Sequence, residues 1–228
     1  MHDYLYDKKV TCVFCTKPFQ TKQYKHTRIK LKKKDKDMCV HYDADGLYPY
    51  IYDIRLCPSC GMIFTERKER PIKNPVQREV IQEKFLGKLK NTETLTEKRT
   101  LEDGIRLYKL MFYLNNIMDE SKCVQAGTCL RIAFLYRFKE DETEEKKYLE
   151  NARDMFIDSY QTEDTEGLGY PRHVLCHLIA ELSATLKDME EAKKWFSELF
   201  GMRGIPAKIM NNARDSWHDL KEEMKQAS

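Results

Sequence analysis

No run of apolar residues in this 228-residue sequence approaches the length of a membrane span. The opening residues, MHDYLYDKKV, lack the apolar core of a signal peptide, so the expected location is the cytoplasm. There is no Gly-rich loop followed by Lys-Ser or Lys-Thr, and no GxGxxG, HExxH or GxSxG. The usual phosphate loop, dinucleotide turn, zinc-protease helix and serine-hydrolase elbow are therefore excluded. Acidic runs such as Glu140–Glu145 supply no carboxylate pair of defined geometry and read as solvated loop.

Charge is unevenly spread. The net charge is only +3, yet residues 1–100 hold 22 Lys/Arg against 13 Asp/Glu, and residues 101–228 hold 18 against 24. A step of that size near Thr100 predicts two parts with different surfaces. The positive half suits a polyanion.

The eight cysteines fall into two kinds. Cys39, Cys123, Cys129 and Cys176 stand alone, and the last three read as small apolar core fillers. Cys12, Cys15, Cys57 and Cys60 form two CxxC pairs separated by forty-one residues. In a reducing compartment paired CxxC points to a metal rather than to disulfides. Each tight turn aims two sulfurs inward, and two turns close a tetrahedral cage of the kind zinc prefers. Pro58 stiffens the second turn, and Gly61 can take the positive dihedral after it. With four protein ligands the expected Zn2+ is structural. Iron in the same cage and a redox-active dithiol are the competing readings. Cys39 and His41, in DMCVHYD between the pairs, are candidates to replace one ligand; otherwise Cys39 is a partly buried structural thiol and His41 a surface residue.

The organisation follows. Strands are expected at Lys9–Cys12, Thr16–Gln20 and Thr27–Lys32, with Phe19 as apolar support. Lys32–Lys36 reads as a charged tip, Asp43–Gly46 as a turn, and Leu47–Leu56 as a strand limited by Pro49. A helix over Val76–Lys90 and a linker or helix cap at Asn91–Thr100 come next. From Leu101 the period is helical: Leu101–Asn115, Lys122–Phe138, Glu144–Tyr160, Pro171–Leu186, Met189–Phe200 and Ile205–Met224. The fold class is thus a small zinc-ribbon-like β module over residues 1–66, a helical connection over 67–100, and an all-α tetratricopeptide-like domain over 101–228.

The repeat rests on small residues. Ala180 and Ala192 lie twelve apart, with Phe196 four later, as in a pair of helices that approach closely. Cys176 and Lys187 stand where such a repeat usually has tryptophan and glycine. An earlier unit places Ala133 and Ala152 nineteen apart, which implies a connecting loop longer by seven residues. NARDMF at Asn151–Phe156 echoes NARDSW at Asn212–Trp217. A helical bundle with closely packed alanines and no repeat is the plainer alternative.

KKVTCVFC followed by Phe19, DKDMCVHYD, YDIRLCPSCG and CLRIAFLYR together resemble a bacterial family known as domain of unknown function 2225. The resemblance spans nearly the whole chain, although Met62 and Ile63 replace the residues usual after its second CxxCG. It implies an N-terminal CxxC/CxxC module followed by tetratricopeptide-like helices, and often a cysteine at the Cys39 position. It implies no activity.

Three functional readings compete. The favoured one is a protein-interaction or adaptor protein, with Arg131, Tyr136, His173 and His177 as candidate groove residues on the first helix of each pair. The second is nucleic-acid binding by the basic segment 22–36, through Lys30, Lys32, Lys33 and Lys34, with Tyr24, Tyr48, Tyr50 and Tyr52 available to stack on bases. The third is an enzyme of unrecognised type. His173, His177 and Glu181 have the i, i+4, i+8 spacing of a second metal site, but packing histidines account for them.

Overall fold

The structure is a computed structural model, and it describes residues 4–43, 46, 48–86, 95 and 98–226. Two compact units divide the chain. One comprises Met1–Lys33, His41–Glu120 and Arg131–Glu145; the other comprises Lys34–Val40, Ser121–Leu130 and Lys146–Ser228.

The N-terminal part is a small β module of two-stranded sheets, with no barrel closure among the described residues. Strand β1 (Leu5–Thr11) pairs antiparallel with β2 (Pro18–Tyr24), and β3 (Leu31–Lys34) pairs with β4 (Val40–Tyr42). A third antiparallel pair joins β5 (Ile54–Leu56) and β6 (Ile63–Thr65). The first and third hairpins use the two CxxC segments as their loops. Phe19 meets Phe64 edge-on at 6.2 Å, so the expected apolar support links these two hairpins.

Leu47–Leu56 is not one strand. Pro49–Tyr52 forms a short 3-10 turn, and only Ile54–Leu56 is extended. Proline has no N–H to offer a ladder. Residues 49–52 are all buried instead of alternating, which a turn pressed into a core allows and a half-exposed strand does not. The charged tip is also more regular than expected, since Leu31–Lys34 is a strand with all four residues exposed. The turn at Asp43–Gly46, the end of the Val76–Lys90 helix and the Asn91–Thr100 linker lie partly outside the described residues.

Helix α1 (Pro75–Lys84) starts where Asn74 accepts from the N–H groups of Val76 and Gln77. Helix α2 (Leu101–Ile117) starts with a reciprocal capping box between Thr100 and Asp103. Gly104 of α2 lies so close to Ile51 that any Cβ there would collide with it. Arg99 is buried just before α2. Its side chain donates to the carbonyls of Ile51 (2.7 Å), Ile54 (2.6 Å) and Leu95 (2.6 Å), which binds the 3-10 turn to the helix start.

The remaining helices are α3 (Lys122–Phe138), α4 (Glu142–Thr162), α5 (Arg172–Thr185), α6 (Met189–Gly201) and α7 (Ala207–Gln226). All six C-terminal helices fall where the apolar period places them, within a few residues at each end. Helices α5 and α6 form the most extensive helix pairing among the described elements. Phe196 of α6 meets Trp217 of α7 at 5.8 Å.

The packing is repeat-like, and the turns show it most directly. Helix α3 closes with Glu140 at φ +60°, and the N–H of Asp141 bonds back to the Tyr136 carbonyl at 3.1 Å. Helix α5 closes with Lys187 at φ +61°, and the N–H of Asp188 bonds back to the Ser183 carbonyl at 3.0 Å. Both are left-handed helix stops. Each following aspartate then caps the next helix, Asp141 for Glu144 N–H (3.1 Å) and Asp188 for Glu191 N–H (3.3 Å). In this register Ala133 matches Ala180. The seven extra residues between Ala133 and Ala152 are therefore not in the loop: the two connections are equally short, and Ala152 sits two turns further along α4. Ala133, Ala152, Ala180, Ala192 and Ala213 are all fully buried.

Candidate metal centre

The two CxxC segments adopt the same hydrogen-bonded knuckle. In the first, Cys12 N–H bonds to the Lys17 carbonyl (3.0 Å) and Thr16 N–H to the Cys12 carbonyl (3.1 Å). In the second, Cys57 N–H bonds to the Met62 carbonyl (2.8 Å) and Gly61 N–H to the Cys57 carbonyl (2.9 Å). The residue after each second cysteine is left-handed, with φ +77° at Gly61 and φ +60° at Thr16. Glycine announces that conformation in sequence, whereas threonine conceals it. The Thr16 hydroxyl donates to the Cys15 carbonyl at 2.7 Å, a local bond that holds the turn.

The four sulfurs converge. Cys12 Sγ is 3.7 Å from Cys60 Sγ, Cys15 Sγ is 3.7 Å from Cys57 Sγ, and all four lie within 4.8 Å of one another. A tetrahedral site with metal–sulfur bonds of about 2.3 Å has sulfur–sulfur edges of about 3.8 Å. The cluster is thus geometrically able to hold a metal. Cys12 and Cys57 are fully buried, and Cys15 and Cys60 are partly exposed.

The electrostatics favour a thiolate before any metal is considered. The hydrogen bond with Cys60 pulls Cys12 down to about 5, and the N–H groups of Cys15 and Phe14 help. The same bond pushes Cys60 up, and burial raises Cys57. The contact between them thus shifts Cys12 and Cys60 in opposite directions, and thiols give up their protons when a cation is bound.

Neighbouring residues hold the knuckles in place. Arg78 of α1 donates to the carbonyls of Phe14 (2.8 Å) and Ile72 (3.1 Å) and lies over the Phe14 ring at 4.3 Å. Ile72 N–H bonds to the Val13 carbonyl at 2.8 Å. Lys8 of β1 reaches Glu66, just past β6, at 2.6 Å. Sequence reading missed Arg78, because nothing local distinguishes it from any other helical arginine.

Cys39 and His41 are not part of the four-sulfur cluster. Cys39 is buried, and its N–H bonds to Asp37 at 3.1 Å. The His41 ring stands edge-on to Phe138 at 5.3 Å. Burial pushes Cys123 up to about 11, and Cys129 and Cys176 up to about 12, so these thiols are poor nucleophiles.

The other candidate residues are scattered. Lys32, Lys33 and Lys34 are exposed on β3, and Lys30 is exposed just before it. Lys22 pairs with Asp7 at 2.8 Å. Tyr24, Tyr50 and Tyr52 are buried; Tyr24 packs edge-on against Tyr52 at 5.0 Å. Their rings belong to the core rather than to a stacking surface. Arg131 lies over the Tyr50 ring at 4.4 Å. His177 is buried and bonds Glu181 at 2.9 Å, while His173 is half-buried. Tyr136 is buried and accepts a hydrogen bond from Lys109 at 2.7 Å.

A small β module bearing a four-thiol cluster, followed by a multi-helix domain with repeat-like packing, defines the class of protein. Over residues 5–220 the chain matches the family described as "Uncharacterized protein conserved in bacteria (DUF2225)", and it belongs to that family. No curated protein and no solved structure matches it.

Proposed function

We propose that this chain is an adaptor: a zinc-ribbon-like module with one structural zinc, joined to tetratricopeptide-like helices that bind a partner protein or peptide. The observation that carries the reading is the repeated turn, in which Glu140–Asp141 and Lys187–Asp188 stop one helix and cap the next in the same register. Helix pairs stacked with a constant turn build an extended face suited to a peptide or a partner domain.

In this reading Cys12, Cys15, Cys57 and Cys60 hold Zn2+. The ion supplies a cross-link between the β1–β2 hairpin, with seven-residue strands, and the β5–β6 hairpin, with strands of only three. All four positions are taken by protein, so no position is left for water or substrate. A reducing compartment keeps the thiols available, which is why the cytoplasm belongs to the proposal. No described helix is long and apolar enough to cross a membrane.

The test is cross-linked affinity capture from a bacterial lysate with the full chain, beside the Ala180→Leu chain. A partner recovered in constant proportion by the first and lost with the second supports the adaptor. Recovery of nothing beyond an unrelated helical control removes it.

One observation keeps a second reading: Lys32, Lys33 and Lys34 stand exposed in a row on β3. Nucleic-acid binding there would weaken steeply with salt, and neutralising the three lysines would flatten that slope by up to about 3 units.

A further inference from the structure

The eight cysteines are not equally open to an oxidant. Cys15 and Cys60 are partly exposed, and the other six are buried. Both accessible sulfurs belong to the four-thiol cluster, one from each knuckle. Each also meets a fully buried sulfur of the opposite knuckle. Cys60 Sγ lies 3.7 Å from Cys12 Sγ, and Cys15 Sγ lies 3.7 Å from Cys57 Sγ. The two contacts share no atom. The cluster therefore divides into two pairs that run between knuckles, each with an outer and an inner sulfur.

Contacts other than sulfur also join the two hairpins. Phe19 of β2 meets Phe64 of β6 at 6.2 Å, and Glu66 accepts from Lys8 (2.6 Å) and Gln23 (3.4 Å) of the first hairpin. Within the first knuckle, the N–H groups of Phe14 (3.4 Å) and Cys15 (3.5 Å) hold Cys12 Sγ in place. A disulfide sets its sulfurs about 2.05 Å apart, so each pair has about 1.7 Å to close.

We propose that the cluster is an oxidation site for hydroperoxides, in which Cys60 and Cys15 take the oxygen and Cys12 and Cys57 close disulfides onto them across the knuckles. The proposal rests on the metal reading of the same four thiols and adds their response to an oxidant. The outer thiolate attacks the peroxide; a sulfur–oxygen bond forms as the oxygen–oxygen bond breaks, and hydroxide leaves. The inner thiolate then attacks the sulfenic sulfur; a sulfur–sulfur bond forms, and the second oxygen leaves as hydroxide. Each pair of thiolates loses two electrons, and one peroxide gains them. Two peroxides thus consume the four thiolates. Disulfide sulfur carries no charge to hold a cation, so zinc is released. Bonds between Cys12 and Cys60 and between Cys15 and Cys57 link the same two hairpins that the metal links, whereas pairing inside each CxxC would not. A dithiol reductant restores the thiols by exchange.

The experiment treats the full wild-type chain, its zinc content measured beforehand, with hydrogen peroxide. Zinc release is followed with a metal-sensitive dye; the remaining thiols are alkylated in denaturant, and the protein is digested with trypsin without reductant. Trypsin leaves Cys12 and Cys15 in one peptide, residues 10–22, and Cys57 and Cys60 in another, residues 56–67. Disulfides across the knuckles join these peptides, and disulfides inside each knuckle leave them apart. The joined peptide is expected to appear in step with the loss of zinc, and partial reduction should assign Cys12 to Cys60 and Cys15 to Cys57. Cys39, Cys123, Cys129 and Cys176 should still be alkylated at that dose, and dithiothreitol with added zinc should restore the metal. Separate peptides, pairing of Cys12 with Cys57, or equal oxidation of the other four cysteines would each overturn the proposal. Zinc retained while glutathione in the same solution is fully oxidised would also overturn it and leave the metal reading standing. A chain that holds no zinc yet yields the joined peptide would remove the metal and keep the oxidation site.

Discussion

Glu163, just past the end of α4, places its carboxylate against the first turn of α3, where it accepts from Lys122 N–H at 2.6 Å and Cys123 N–H at 3.1 Å. The Ser159 hydroxyl donates to the same group at 2.6 Å. One helix end thus caps the start of another, forty residues away along the chain. Burial pushes this carboxyl up, but the hydroxyl and the two backbone N–H groups outweigh it and hold it below the usual range.

A depressed carboxylate stabilises the fold above its unfolded pKa, and that contribution disappears as pH falls through the folded value. Glu163→Gln is therefore expected to cost about 1 kcal/mol near neutral pH, the scale of a lost helix cap with its dipole interaction. Urea unfolding across a pH series should show the two proteins converging in acid. An undiminished gap at the acid end would separate Glu163 from this role.

Gly104 decides how close α2 comes to the Pro49–Tyr52 turn. Gly104→Ala should cost about 1–3 kcal/mol through the collision with Ile51, despite the better helix propensity of alanine. A thermal melt that rises would show that the turn can retreat at no cost. The added methyl should cost less in an Ile51→Ala background than in the wild type, since the nearest clashing atom is Ile51 Cγ2, which alanine lacks and valine would keep.

The sulfur cluster predicts metal content. Protein purified without added metal should carry close to one zinc per chain by elemental analysis. Cys57→Ser should lose it and unfold the β module, because a fully buried ligand is replaced by a poor one. Helical circular dichroism from residues beyond Leu101 should change little. Reduced, metal-free wild-type protein with an ordered β module would defeat the claim.

Ala180 of α5 and Ala192 of α6 are both fully buried, and the two helices pack on each other. Enlarging either to Leu is expected to cost about 1–3 kcal/mol by overpacking, since both are fully buried. Zinc content should be unchanged, because the metal ligands lie far away in the chain. A loss of metal in Ala180→Leu would show instead that the helices and the β module are energetically coupled.

Much of this protein is written locally. Helices α2 to α7 follow their apolar period because one turn needs only residues three and four apart. The knuckles are legible because the four-thiol cluster is built from two CxxC spacings, each with two residues between its cysteines. Of the alanines, only Ala133 and Ala180 occupy matching positions; Ala152 lies two turns out of register with Ala192, and the kinship of the turns is not marked by it. What stayed hidden depends on partners distant in the chain. Pro49–Tyr52 has the composition of a strand, but Arg99 and α2 bury it as a turn. Thr16 and Lys187 do the work of glycine because the bonds around them hold a left-handed backbone. Tyr24, Tyr50 and Tyr52 looked available to a ligand, and the small core consumed them. The extra seven residues before Ala152 look like a loop in the sequence and lie within a helix in the fold. Local spacing determines which conformations are open to a segment; burial against residues far along the chain decides which one is occupied, because the free energy of covering apolar surface exceeds the small differences in local propensity.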